Sequence, residues 1–336
     1  MLTFKVLSFN KKAAVLSAIV VILSAVYILS FVFEPGKRGS KSFAWIEQRF
    51  LDMADRVELY GDGGKTELVR RNNIWFFRSE TSELPVKQGR VEDLFSALSG
   101  RYVYPVRAVS SEARERLGLG EGSATRIIVR GGAGLPLLDL LIGKADALGR
   151  EIYLKRAEWN EIYSGEDRFT YFSDSKPSSW YDLRLFSLPA GSGTIMSAGS
   201  YSIDAVQQAE ISTPGNEAFI LRRSGQNWII PGNEAVDSNR VDAWLRSLLE
   251  AEGDDFALSA AETAEAGITL WFGDGSVRTI EAGILNESSY ENTEGGEKNR
   301  SLRVSGSPYV YKIGEWNYNR LFRGLSYFLR NEQVTE

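Results

Sequence analysis

Three short motifs hold the residues best suited to chemistry. Gly61-Asp62-Gly63-Gly64-Lys65-Thr66 contains Gly-Lys-Thr, the end of a phosphate-binding loop. Such a loop needs a further glycine five positions before Gly64, so that successive backbone N–H groups cradle the phosphates. Leu59 stands there, and strand-like sequence lies on both sides, so the segment reads as a hairpin turn. Ser173-Asp174-Ser175-Lys176 has the spacing of an acylated serine and its lysine base. That pair must share one helix face, and Pro177 disfavours helix at Lys176. The partner motif is also missing, because Lys65-Thr66 is followed by Glu67. Gly118-Leu119-Gly120-Glu121-Gly122 follows a helical pattern and precedes a strand, the reverse of a dinucleotide fingerprint. It reads as a helix C-cap.

The remaining chemistry is narrow. The chain has no His and no Cys, which removes Ser-His and Cys-His catalysis, structural zinc sites and disulfides. Asp254-Asp255 and the acidic residues between Glu287 and Glu297 lack the spacing of a calcium loop. They read as solvated acidic segments. An enzyme built on carboxylates alone, such as a glycosidase, would need two acids facing each other across a cleft, which linear spacing does not test. The formal net charge of -5 argues against a general nucleic-acid binder. We therefore expect no catalytic residues, no cofactor and no metal.

These residues must be positioned by a body that follows an apolar segment. Residues Ala13 to Phe33 carry no charge over 21 positions. At 1.5 Å per residue they span about 31 Å, enough for a bilayer core. The far end, Phe31-Val32-Phe33-Glu34-Pro35, lacks the small residues of a signal-peptide cleavage site. The expectation is a short cytoplasmic tail (1–12), a single transmembrane helix (13–33) and a linker (34–42). Lys5, Lys11 and Lys12 before the segment nearly balance Lys37, Arg38 and Lys41 after it, so charge does not set the orientation. The absence of Cys fits a body on the extracytoplasmic side. Ala14 and Ala18 have the small-xxx-small spacing by which membrane helices approach closely.

The body reads as an internal duplication. Val69 to Phe77 and Leu221 to Ile230 each present an Arg pair, a polar turn, then Trp and apolar residues, a strand-turn-strand pattern. A helix follows each. Val91, Leu94, Phe95 and Leu98 correspond to Val241, Trp244, Leu245 and Leu248 at an offset of 150, one apolar stripe in both. Short helical stretches (Ser111 to Leu117; Ala260 to Ala266) then lead into strands at Arg126 to Arg130 and Ile268 to Phe272. Glycine turns and further strands follow: Leu137 to Ile142 and Ile152 to Lys155, against Val277 to Ala282 and Leu302 to Val304. The fold expected is α+β: the transmembrane helix, then two duplicated modules with mostly antiparallel sheets. The first module covers 43–188 and the second 201–331, joined by a Pro/Gly/Ser linker at 189–200, with a mobile loop at 286–299. Tyr318, Leu321, Phe322, Leu325, Phe328 and Leu329 have the spacing of a terminal helix.

Trp75, Trp228 and Trp244 fall at repeated apolar positions and are assigned to packing. Trp316 stands beside Tyr309, Tyr311 and Tyr318, an aromatic cluster expected to contact a partner. Ala14 and Ala18 are the matching candidates inside the membrane.

The order of these parts resembles an uncharacterised bacterial family, domain of unknown function 4340. The likeness rests on the anchor, the Trp-ending hairpin, the helix opening Arg90-Val91, the turn Leu117-Gly118-Leu119 and the closing run Ser179-Trp180-Tyr181-Asp182-Leu183-Arg184. Arg116-Leu117-Gly118-Leu119 lacks the Tyr and Pro usual at that turn in the family. The resemblance implies a non-enzymatic accessory component of an ABC-type envelope transport system. The body would lie on the periplasmic side of the bacterial inner membrane, with permease and ATPase subunits as partners. The alternative is a glycan- or peptide-binding protein using a cleft between the modules.

Overall fold

The computed structural model describes residues 19–24, 27, 40–186, 201–232, 236–285 and 299–330. Most of the expected anchor 13–33 lies outside the described residues, as do Ala14, Ala18, the linker 189–200 and nearly all of the loop 286–299. Residues 19–24 and 27 are helical and exposed. No helix among the described residues is long and apolar enough to cross a membrane.

The chain is α+β and its strand pairings are antiparallel. The strands of its first half are β1 (Ser40–Phe43), β2 (Ala54–Gly61), β3 (Gly64–Arg71), β4 (Ile74–Arg78), β5 (Glu83–Pro85), β6 (Tyr102–Ala108), β7 (Thr125–Gly131), β8 (Pro136–Ala145), β9 (Glu151–Arg156) and β10 (Ile162–Glu166). Those of the second half are β11 (Val206–Ser212), β12 (Phe219–Ser224), β13 (Asn227–Ile229), β14 (Asp255–Phe256), β15 (Ala266–Phe272), β16 (Val277–Ile284), β17 (Arg300–Val304) and β18 (Val310–Ile313). Two compact units result. One holds the described residues up to Glu67 together with Val91–Lys176; the other holds Leu68–Arg90 and the described residues from Pro177 onward.

In the first unit the strand order is β1-β6-β10-β9-β8-β7-β2. Strands alternate sides with a period of two, and the burial follows: Val57, Leu59, Ile127, Val129, Leu138, Leu140, Ile152 and Leu154 are buried on one face. The helix Gln88–Ser99 buries Val91, Leu94, Ala97 and Leu98. Strand β1 begins at Ser40, inside the stretch expected to be linker. Its backbone pairs with β6 from Ser40↔Pro105 to Phe43↔Tyr102. Ser-Lys-Ser-Phe has no apolar alternation, so partner hydrogen bonds make this strand rather than its own pattern.

In the second unit β3 pairs with β4 and β4 with β5. Asn72 and Asn73, both at positive φ, turn the chain between β3 and β4, the two-residue hairpin geometry that Asn tolerates. The eight-stranded sheet runs β13-β12-β11-β15-β16-β17-β18-β14. The helix Ser238–Leu249 is capped by Asp237, whose carboxylate accepts from the N–H groups of Asn239 and Arg240. It buries Val241, Trp244, Leu245 and Leu248. Trp244 donates its indole N–H to the Leu321 carbonyl at 2.8 Å and meets Phe328 edge-on.

Two sequence expectations are corrected. Ala260 to Ala266 is not helical: the Ala261 N–H donates to Ser301 Oγ and the Glu265 N–H to the Ala282 carbonyl. The neighbouring strands thus take the groups a helix would use. The terminal stripe is two short helices, Glu315–Leu321 and Leu325–Phe328, separated where Gly324 adopts the extended N-cap conformation.

Candidate functional site

The first unit carries a groove of about 750 Å³ on the sheet face opposite its main core. Cross-strand pairing fixes its rows. Tyr60, Arg126, Leu141 and Lys155 stand side by side across β2, β7, β8 and β9. Glu58, Ile128 and Asp139 form the next row. The apolar residues Ile128 and Leu141 therefore share the floor with charged neighbours.

One wall is the segment 110–124. Ser110 caps the helix Ser111–Arg116 by accepting from the Ala113 N–H. At the helix end, Gly118 takes φ +73, its N–H donates to the Glu115 carbonyl, and the Leu119 N–H reaches back to the Arg114 carbonyl. That bond pattern is the Schellman cap. It folds Leu119 beside Ala113, and both bury against Leu141 and Ile162. Gly143 lies under this turn, where a Cβ would stand 2.4 Å from the Leu117 carbonyl oxygen. A small second core thus holds the wall on the sheet.

The ions in and beside the groove, of which Arg114, Arg126 and Arg130 line it, are of two kinds. Glu58, with a side chain 7% exposed, forms an ion pair with Arg130 at 3.1 Å, accepts from the Tyr60 hydroxyl at 3.2 Å, and has Arg56 at 3.8 Å. Arg126 pairs with Asp139 through two guanidinium nitrogens, and that bond raises its pKa. Arg114 and Lys155 differ. Arg114 Nε donates to the Leu119 carbonyl at 2.8 Å. Lys155 is buried and donates to the carbonyls of Arg156 and Ala157. Neither makes an ion pair among the described residues. Burial pushes the Lys155 ammonium below the usual lysine value, and the Arg114 charge adds to that push. Asp62 and Glu121 line the same groove and are exposed.

A family profile described as a domain of unknown function, DUF4340, matches residues 75–269, more than half of the chain. The chain belongs to the DUF4340 family. No curated protein and no solved structure matches it. The stretch matched in this DUF4340 chain contains β7, β8 and β9 of the groove and the wall at 110–124, while β2 and Trp316 lie outside it.

The aromatic residues singled out in the DUF4340 sequence do not form one surface. Tyr311 is fully buried and Tyr318 is 6% exposed. Tyr311 sits against Phe256 and Tyr318 stacks on Phe322. Tyr309 is half-buried beside Phe256. Trp316 alone is open, at 72% exposure, with the Arg320 guanidinium 5.2 Å from its ring. The helix Glu315–Leu321 presents Trp316 outward and turns Tyr318 and Leu321 inward.

Asp62 and Gly63 are the turn between β2 and β3, as expected. Asp254-Asp255 is not a merely solvated segment: Asp254 accepts from the Gly314 N–H and the Asn317 amide, both at 2.6 Å, and so caps a helix, and Asp255 is half-buried in β14. Trp75, Trp228 and Trp244 are buried. Sequence reading missed the groove. The one legible signal was the alternation of charge along β7, Arg126-Ile-Ile-Val-Arg130, in a strand otherwise apolar.

Proposed function

We propose that this protein is a non-enzymatic accessory component of an ABC-type envelope transport system. It would be anchored in the bacterial inner membrane by residues 13–33, with its body on the extracytoplasmic side. The observation that carries the reading is the order of parts: a 21-residue uncharged stretch at 13–33, ahead of the DUF4340 match at 75–269. Contact with permease or ATPase subunits would use exposed side chains of hot-spot type. Trp316 with its stacked Arg320 has that composition.

We further infer that the body arose by duplication. The order β6-β10-β9-β8-β7-β2 has the counterpart β14-β18-β17-β16-β15-β11, and the strands succeed one another along the chain in the same sequence. Both sheets carry a register shift at the start of the corresponding strand, between Ala54 and Arg56 and between Val206 and Gln208. In both, the first residue of the following helix accepts from the N–H of the hairpin Trp: Gln88 from Trp75, Ser238 from Trp228. Paired modules would give an accessory subunit a broad contact area.

Cross-linking in native membranes, then purification by a C-terminal tag and mass spectrometry, tests the reading. Near-stoichiometric recovery of a permease and an ATPase supports it, and loss of that recovery in Trp316→Ala would place the contact. Recovery of the protein alone overturns it.

A further inference from the structure

We propose that the first unit rests on the bilayer by the end of its sheet at which the chain enters, with Phe50, Met53 and Leu135 seated at the headgroup level of zwitterionic lipid. The inference deepens the transport reading and rests on the anchor which that reading places at residues 13–33.

Three observations carry it. The first is direction. Each strand of β1-β6-β10-β9-β8-β7-β2 is antiparallel to the next, so β1, β10, β8 and β2 all begin at one end. Ser40, Ile162, Pro136 and Ala54 mark that end, and the chain comes into β1 from it. The second is reach. Phe33 and Ser40 are seven residue steps apart, at most about 25 Å when fully extended. The headgroup layer takes up about 5–8 Å of that. The connection therefore holds the body close to lipid, and its shortest route brings the entry end nearest. The third is composition. The turn between β7 and β8 belongs to this end, and the run Gly131-Gly132-Ala133-Gly134-Leu135-Pro136-Leu137-Leu138 carries no polar side chain, whereas turns facing water are polar. Leu135 is 59% exposed, and Met53, 56% exposed, lies beside it. The Gly131 N–H donates to the Leu135 carbonyl, and a Cβ on Gly131 would stand 3.2 Å from the Met53 carbonyl oxygen. Phe50, on the preceding helix Gln48–Asp52, is exposed as well. Apolar side chains grouped in the open mark contact surfaces, and lipid is the partner this end is tethered to.

The charges at this end select the lipid. Arg49 covers the Phe50 ring and is paired with Glu47, while Asp52 and Asp55 flank Met53-Ala54. An anionic headgroup would meet those two carboxylates, so the contact is apolar and zwitterionic lipid fits it better.

The test uses the full chain in phosphatidylcholine vesicles. The sequence has no Cys, so single-Cys variants carry one nitroxide each. Met53→Cys and Leu135→Cys report on the contact, and Ile22→Cys on the uncharged stretch. Leu148→Cys, in the turn between β8 and β9 and 67% exposed, reports on the opposite end. Depth is read from spin relaxation by oxygen, which concentrates in lipid, against a nickel chelate, which stays in water. The label at position 22 should lie deep, those at 53 and 135 at headgroup level, and that at 148 in water. Adding Leu135→Asp, at an exposed position, should move the label at 53 out into water, while an unchanged spectrum at 148 shows that the fold is kept. A deep label at 22 with those at 53 and 135 as wet as that at 148 overturns the docking and leaves the anchor standing. A wet label at 22 overturns both. Labels at 53 and 135 shielded from both reagents, with dipolar broadening that unlabelled chain dilutes away, overturn lipid contact in favour of a second copy.

Discussion

Glu58 is a deeply buried carboxylate on the sheet face beside the groove, and replacing it tests whether ion pairing organises that face. In Glu58→Gln the side chain keeps its size and can still meet the Tyr60 hydroxyl, but Arg130 at 3.1 Å loses its counter-charge, and Arg56 at 3.8 Å keeps only Glu67, 3.7 Å away. Removing one partner of a well-buried pair costs about 3–5 kcal/mol. Here the two arginine side chains are 27% and 36% exposed, and water screens a cation once it is free to turn outward. The loss should therefore fall to about 1–3 kcal/mol. Urea unfolding of the full chain in neutral detergent, followed by Trp fluorescence, measures it against Glu92→Gln, an exposed position on the helix Gln88–Ser99. The double variant with Arg130→Met should lose less than the two single variants together, with a coupling of about 0.5–3 kcal/mol. If Glu58→Gln lies within about 0.5 kcal/mol of the Glu92 control, the ions do not hold this face and the argument for a pre-formed groove fails.

Other perturbations probe the supports of the same fold. Gln88 makes three bonds, accepting from the Trp75 N–H and donating to the Trp75 and Val86 carbonyls, whereas Ser238 accepts one from Trp228. Gln88→Ala should cost about 1.5–4 kcal/mol and Ser238→Ala about 0.5–1.5, and chemical denaturation that ranks them the other way would contradict the shared design. Gly143→Ala should loosen the groove wall, since its Cβ meets a backbone oxygen at 2.4 Å. Hydrogen exchange at the Leu119 and Lys144 amides should then speed up while the β11–β15 amides do not change. Burial pushes the phenols of Tyr104 and Tyr181 up to about 12. Between about pH 10 and 12 the native state therefore holds more protons than the unfolded chain, so stability falls as pH rises through that window. Ultraviolet titration should show these two phenols ionising after the exposed ones, and Tyr104→Phe should move alkaline unfolding to higher pH.

How far the sequence discloses this molecule depends on where each signal is stored. The helices Gln88–Ser99 and Ser238–Leu249 were legible because burial of Val91, Leu94 and Leu98, and of Val241, Trp244, Leu245 and Leu248, repeats at helical spacing. Phe95, in the same stripe, is only half-buried, so periodicity identified the face but not its edge. The strands β7, β8, β15 and β16 were legible from apolar runs broken by glycine. Strand β1 was not, because Ser40–Phe43 becomes a strand through β6 rather than through its own residues. Nor was the loss of helix at Ala260 to Ala266, where alanines favour helix but Ser301 and Ala282 take the backbone donors.

The aromatic cluster failed for a related reason. Tyr309, Tyr311, Trp316 and Tyr318 are close in sequence, but a strand alternates sides and a helix rotates about 100° per residue. Tyr311 and Tyr318 thus point into the core while Trp316 points out. The groove reverses that case. Arg114, Arg126 and Leu141 lie on separate elements, and only the register Arg126↔Leu141 and the fold-back of 110–124 onto Leu141 bring them to one groove. A single strand shows which of its side chains share a face, but not which strand lies beside it. Cross-strand neighbours, and any ligand they would hold, are stored in the pairing of strands rather than in any one segment.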